Sequence, residues 1–280
     1  MNTLLKSEPF ISEKLDIILL IGQSNAEGFG LGEVAAPYEP TEKIMQLVNT
    51  APVYLEVTDK DEKILHIEAP SSYKTETAFE TVHKERGILG CLALPFAKKY
   101  LDKYVSDPER RVLVVKAAVG SSGFLRENWC IGEPLYKRAV EMTDLALSLN
   151  PENRLVAVLW HEGESDAIEG RRRGGYDFLY PYYRKQLSAL ISDLRNRYGE
   201  APFIAGGLCP EWTPGIRETS DAVENATRDV LAEFPLTAVA DSEGLISNNS
   251  AVHNGDSIHF ARASLYELAN RYFELFEKMR

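Results

Sequence analysis

Four short segments carry residues whose types and spacing suit ester chemistry. Ser24 lies in Gly22-Gln23-Ser24-Asn25-Ala26-Glu27-Gly28, directly after an apolar run at 16–21. A serine hydroxyl is a weak nucleophile until a base within hydrogen-bond reach takes its proton. A candidate base stands near the other end of the chain, in Asp256-Ser257-Ile258-His259. Imidazole accepts and returns a proton near neutral pH, and a carboxylate three residues earlier can hold its tautomer and stabilise the imidazolium. Gly120, in Gly120-Ser121-Ser122-Gly123, has no Cβ, so its N–H can closely approach a developing oxyanion. The fourth segment, His161-Glu162-Gly163-Glu164-Ser165-Asp166, concentrates carboxylates.

Each segment also has a structural use. Ser24 suits a helix N-cap, and the motif is not the GxSxG elbow, because its second glycine comes two residues late. Asp256 and His259 suit a turn and a helix cap, and Gly120 an ordinary strand-to-helix turn. The acidic run suits a helix start, where negative charge meets the dipole. His161, Glu162, Glu164 and Asp166 form a candidate metal set, although their spacing matches no named zinc or calcium template. Arg171-Arg172-Arg173 reads as a solvated loop. Trp129, Trp160, Trp212 and Tyr38 could stack on a sugar ring or pack in the core. His66, His83 and His253 lack comparable context.

The elements that must position these groups read as α/β. Five apolar runs, at 16–21, 111–118, 155–160, 202–208 and 237–240, mostly lack polar alternation. Strands buried on both faces of a parallel sheet have this pattern. Helical spacing follows at 135–149, 176–198, 221–234 and 263–279, and Asn150-Pro151 ends the first of these. Residues 90–104 also read as helical. The alternation predicts a doubly wound parallel sheet of about five strands between two helical layers. Ligands bind such sheets outside the carboxyl ends of the strands, which is where the polar segments fall. Residues 31–90, with Pro37, Pro40, Pro52 and Pro70, are expected to form an irregular excursion over the sheet edge. No repeat or linker divides the chain, so 1–280 is expected to form one domain.

Composition narrows the function classes. The 280 residues carry 31 Lys+Arg against 42 Asp+Glu, for a net charge of −11. Such a chain lacks the footprint of a nucleic-acid binder and is repelled by anionic membrane. No apolar run approaches a membrane span, and the N-terminus lacks the features of a secretory signal. Cys91, Cys130 and Cys209 are too few and too scattered for a disulfide framework. The expectation is a cytoplasmic protein acting on a small molecule. Oligomeric state is not legible.

Together the four segments resemble the blocks of SGNH hydrolases, and more narrowly the sialate O-acetylesterase and acetylxylan esterase group, carbohydrate esterase family six. Gln23-Ser24-Asn25 after an apolar strand, combined with Trp160-His161-Glu162-Gly163-Glu164-Ser165-Asp166, carries most of the likeness. The resemblance implies a flavodoxin-like three-layer αβα fold and hydrolysis of O-acetyl groups on sugars without a cofactor. It implies Ser24 as nucleophile, His259 as base, Asp256 as its orienter, and the N–H groups of Ser24 and Gly120 as the oxyanion hole. Gln23, Asn25, Glu164 and Asp166 are expected to support these groups from behind. Glu162 departs from the pattern, because the family usually has Gln there. An ionised carboxylate cannot donate to an oxyanion, so Glu162 is expected either to be protonated and stand in for the amide, or to point away. Ala26 and Ser121 are lesser departures. Two other readings follow: a non-catalytic carbohydrate-binding protein, motivated by Glu162, and a hydrolase using the metal set above.

Overall fold

The computed structural model describes residues 14–49, 53–57, 63–67, 73–83 and 86–280. Its strands are β1 (Lys14–Gly22), β2 (Ile44–Asn49), β3 (Val53–Val57), β4 (Lys63–Ile67), β5 (Tyr73–Thr77), β6 (Thr81–His83), β7 (Gly87–Leu89), β8 (Arg110–Lys116), β9 (Arg154–His161), β10 (Phe203–Gly206) and β11 (Thr237–Ala240). Its helices are α1 (Ser24–Glu27), α2 (Ala93–Tyr104), α3 (Pro134–Ser148), α4 (Glu164–Arg173), α5 (Gly175–Tyr198), α6 (Arg217–Glu233), α7 (Asn248–Val252) and α8 (Arg262–Lys278).

The central sheet runs β11-β10-β9-β1-β8-β2-β5. Every neighbouring pair is parallel except β2 with β5. Strand β1 lies in the middle and explains its own lack of alternation. Leu15, Ile17, Leu19 and Ile21 face a core built with α3, α5 and α6. Ile18 and Leu20 face the opposite core, built with α2 and α8. Both faces are therefore apolar, and the three layers follow from burying each against helices.

The five expected strands are present, but the sheet has seven. The two additions come from the segment expected to be irregular. β2 inserts beside β8, burying Ile44, Met45 and Leu47, and β5 closes the edge antiparallel to it. Two hairpins, β3–β4 and β6–β7, complete the excursion. Short polar strands such as Tyr-Lys-Thr-Glu-Thr carry little hydrophobic signal, since an edge strand has only one neighbour to satisfy. Arg171-Arg172-Arg173 is not a loop but the last turn of α4, where cations oppose the helix dipole. Among the described residues, no helix is long and apolar enough to cross a membrane. The three cysteines are unpaired.

Candidate active site

The register of β1 and β9 places Gly22 beside His161 at the carboxyl ends of both strands. Gly22 adopts φ +128°, and a Cβ there would lie 2.0 Å from the His161 carbonyl oxygen. Only glycine fits, and the chain turns at once into α1. Ser24 is the first residue of that helix, while Gln23 occupies the cap position and makes no side-chain cap bond. The N-cap use of Ser24 is therefore not what the structure has. Its hydroxyl points instead to His259.

Ser24 Oγ lies 2.9 Å from His259 Nε2. His259 Nδ1 lies 2.9 Å from both carboxylate oxygens of Asp256. Asp256 also accepts the His259 backbone N–H at 3.2 Å, so the turn and the orienting contact coexist. Asn248 Nδ2 donates to Asp256 Oδ2 at 3.0 Å, and the Phe29 ring stacks on the imidazole with centroids 5.1 Å apart. Burial pushes the Asp256 carboxyl up, but hydrogen bonds from His259 and Asn248 outweigh it and bring the pKa down to about 2. Asp256 is thus held as an anion. Asn248 and Phe29 were not legible as site residues, because their roles depend on a pairing of α7 with the loop after α1.

Behind the serine sits Glu164, fully buried. Its two oxygens accept from Gln23 Nε2 at 2.5 Å and Asn25 Nδ2 at 2.6 Å. The residues on either side of Ser24 are thereby fixed by one carboxylate. Asn25 also donates to the Ile258 carbonyl and accepts from the Phe260 N–H, tying the serine turn to the histidine loop. Burial raises the Glu164 carboxyl, yet the facing His161 ring and the Asn25 amide bring it below its ordinary range. Asp166 accepts the N–H groups of Phe124 and Leu125 at 2.9 and 2.6 Å, anchoring the loop after β8.

Two expectations for the oxyanion hole need correction. The Gly120 N–H is not a vacant donor: it donates to Glu27 Oε2 at 2.7 Å. Gly120 nevertheless lies beside the serine, since a Cβ on it would stand 3.5 Å from Ser24 Cβ. Glu162 points away. Its Oε2 accepts from the Tyr183 hydroxyl at 2.9 Å, on α5. Burial, then the neighbouring Asp166 carboxylate, raise its pKa well above the ordinary range. Burial thus biases Glu162 toward its neutral form, and the side chain is turned to Tyr183 rather than to an oxyanion. Its remaining oxygen, Oε1, is buried without a hydrogen-bond partner.

A direct consequence concerns pH. Because the folded pKa is raised, the unfolded chain loses this proton first as pH rises above 4.5, and stability falls from there upward. Glu162→Gln keeps the shape and an acceptor for the Tyr183 hydroxyl without the titration. Its melting temperature should match wild type near pH 4.5 and exceed it by several degrees at pH 8, at about 2–4 °C per kcal/mol. Melting curves at both pH values check this, and ester hydrolysis should persist, because Glu162 does not touch the serine or the histidine.

The carboxylates of 162–166 are thus each held by protein donors. Among the described residues, no three His, Cys, Asp or Glu side chains are grouped so as to hold a metal ion. A cavity of about 400 Å³ opens over Ser24 and His259, lined also by Ser121, Arg126, Ile168 and Arg172. Arg126 donates to the Ser121 carbonyl and to Glu169. Trp129 and Trp160 are buried and packed edge to face, so they belong to the core. Tyr38 packs against Tyr266. Trp212 lines the neighbouring hollow with Arg172 and Glu211.

The model of the carbohydrate esterase, sialic acid-specific acetylesterase family matches residues 14–278. The chain belongs to that family. It is by that membership a carbohydrate acetylesterase, a carboxylic ester hydrolase. A relative from Escherichia coli (strain K12), a probable 9-O-acetyl-N-acetylneuraminic acid deacetylase, is 22% identical over 254 residues, covering 78% of this chain and 74% of the relative. The crystal structure of NanS superposes with a TM-score of 0.69 at 19% identity, covering 95% of this chain and 97% of that one. An Arabidopsis thaliana protein does so at 0.67 and 17%, covering 95% and 98%. Both structures share the three-layer α/β fold.

Proposed function

We propose that this esterase deacetylates a small acetylated sugar through an acetyl-serine intermediate on Ser24. The observation that carries this reading is the unbroken hydrogen-bond chain from Ser24 Oγ through His259 to Asp256. Ser24 attacks the acetyl carbonyl while His259 Nε2 takes its proton. The tetrahedral oxyanion is met by backbone donors at the start of α1, where the Ser24 N–H has no intrahelical acceptor. The C–O bond to the sugar then breaks, and His259 returns the proton to the departing sugar oxygen. Water, deprotonated by His259, attacks the acetyl-serine; acetate leaves and Ser24 recovers its proton.

An O-acetylated sialic acid is the favoured substrate, in keeping with the family and with the name of the Escherichia coli relative. Acetylated xylo-oligosaccharides are the second choice. Glu162, turned inward to Tyr183, brings no carboxylate to the serine, which favours the esterase reading over a purely sugar-binding protein. Acetate release from 9-O-acetyl-N-acetylneuraminic acid and from acetylated xylo-oligosaccharides, with and without EDTA, tests the reading. Acetate should appear from the sialic acid ester at a rate EDTA leaves unchanged. Absence of release from both esters, or loss on chelation restored by a divalent metal, would contradict it.

A further inference from the structure

Across the Gly120–Ser121 rim from the serine lies a second cavity of about 560 Å³, between the end of α1, the ends of β2 and β8, and α3. Gly120 and Ser121 line it, and Ser121 also lines the Ser24 cavity. Arg138 reaches into it from α3. Three residues before and four after Arg138 stand Leu135 and Met142, both fully buried. The helical period therefore puts Arg138 on the core stripe, where an apolar residue is the norm.

Arg138 is 4% exposed. Its Nε and one Nη have no hydrogen-bond partner. Burial lowers its pKa, and the nearby Glu141 carboxylate only partly offsets this. The neighbouring carboxylates are already engaged. Glu141 accepts from the Tyr73 hydroxyl at 2.8 Å, Glu76 from Gln46 at 2.7 Å and Lys74 at 2.6 Å, and Glu27 from Gly120. Lys116, a second cation on the cavity wall, donates to Thr81 at 2.9 Å. Buried guanidinium nitrogens without partners destabilise a fold, and the planar fork of Nε and one Nη matches a carboxylate bidentately.

We propose that this cavity is an anion subsite of the esterase, in which Arg138 receives the carboxylate of an acidic acetylated sugar. The inference deepens the proposed function and rests on it for the identity of the sugar. An anionic ligand would pair the two unpartnered nitrogens, and the shared rim would let one substrate present its acetyl group to Ser24 and its acid to Arg138.

The test separates the two claims. Hydrolysis of p-nitrophenyl acetate by wild type and Ser24→Ala reports on the esterase reading alone. Calorimetric titration with N-acetylneuraminic acid and with its methyl ester, which differ by one charge, reports on the subsite. Wild type should bind the acid at least tenfold more tightly than the ester. Arg138→Gln should bind both equally, and Arg172→Gln should keep the preference. Arg138→Met, which removes an unpaired buried charge, should melt no lower than wild type. No preference in wild type, a preference that survives Arg138→Gln, one lost in Arg172→Gln, or a large fall in melting temperature for Arg138→Met would each overturn the proposal.

Discussion

Replacing Asp256 by asparagine is expected to slow ester hydrolysis about ten-thousand-fold, as when a triad orienter turns amide and enforces the wrong tautomer. The fold should persist, because the amide is isosteric. In the native site the Asp256 carboxylate faces Nδ1 at 2.9 Å, so Nδ1 carries the proton and Nε2 is free to accept from Ser24. Asn248 donates to Oδ2, which favours the oxygen of an asparagine there and turns its NH2 toward the ring. Nδ1 would then have to accept, and Nε2 would carry the proton. Steady-state kcat on p-nitrophenyl acetate, with a melting curve as control, checks this. The pH dependence has a defined sign. The folded pKa of Asp256 is depressed, so its contribution to stability is present above its ordinary 3.8 and is lost as pH falls toward about 2. The melting temperatures of wild type and Asp256→Asn should therefore converge across that interval.

Glu164→Leu is expected to cost about 3–5 kcal/mol of stability, the range for removing one partner of a buried charged network. The Gln23 and Asn25 amides would lose their acceptor, and His161 its facing carboxylate, 3.7 Å away. Denaturant midpoints measure the loss. Any folded fraction should also lose activity, since the backbone on both sides of Ser24 is freed. Glu164→Gln supplies only one acceptor oxygen and should fall between the two. Wild type itself should weaken below pH 4.5 as Glu164 takes up a proton, because its folded pKa is depressed.

Much of this arrangement was legible in the sequence, for reasons particular to each part. The strands at 16–21 and 155–160 were visible because both faces of a central parallel strand must be apolar. The helix over residues 175–198 was visible because its buried residues, Leu179, Tyr183, Leu187, Leu190 and Leu194, recur at helical spacing. β5 was not, since the pairing of an edge strand is satisfied by backbone hydrogen bonds that leave little trace in side-chain pattern; β2 was not, since its apolar run is short, is interrupted by Gln46 and lies between Pro40 and Pro52. At the site, residue types at strand ends and the family resemblance named Ser24, Asp256 and His259. Direction was beyond reach. Nothing local says that Glu162 turns to Tyr183 while Glu164, two residues on, turns to Gln23 and Asn25. Nor does the sequence say that Glu27 reaches Gly120 across 93 residues. Arg138 did leave a trace, a lone cation in an otherwise apolar helical stripe.

The most direct measurement is acetate release by Ser24→Ala beside wild type, on p-nitrophenyl acetate and on 9-O-acetyl-N-acetylneuraminic acid at equal enzyme concentration. The account predicts turnover by wild type on both esters and a loss of at least about a thousandfold in the variant, with the melting temperature unchanged, as expected for removing a nucleophile. A Ser24→Ala protein that still releases acetate at a rate near wild type would contradict it.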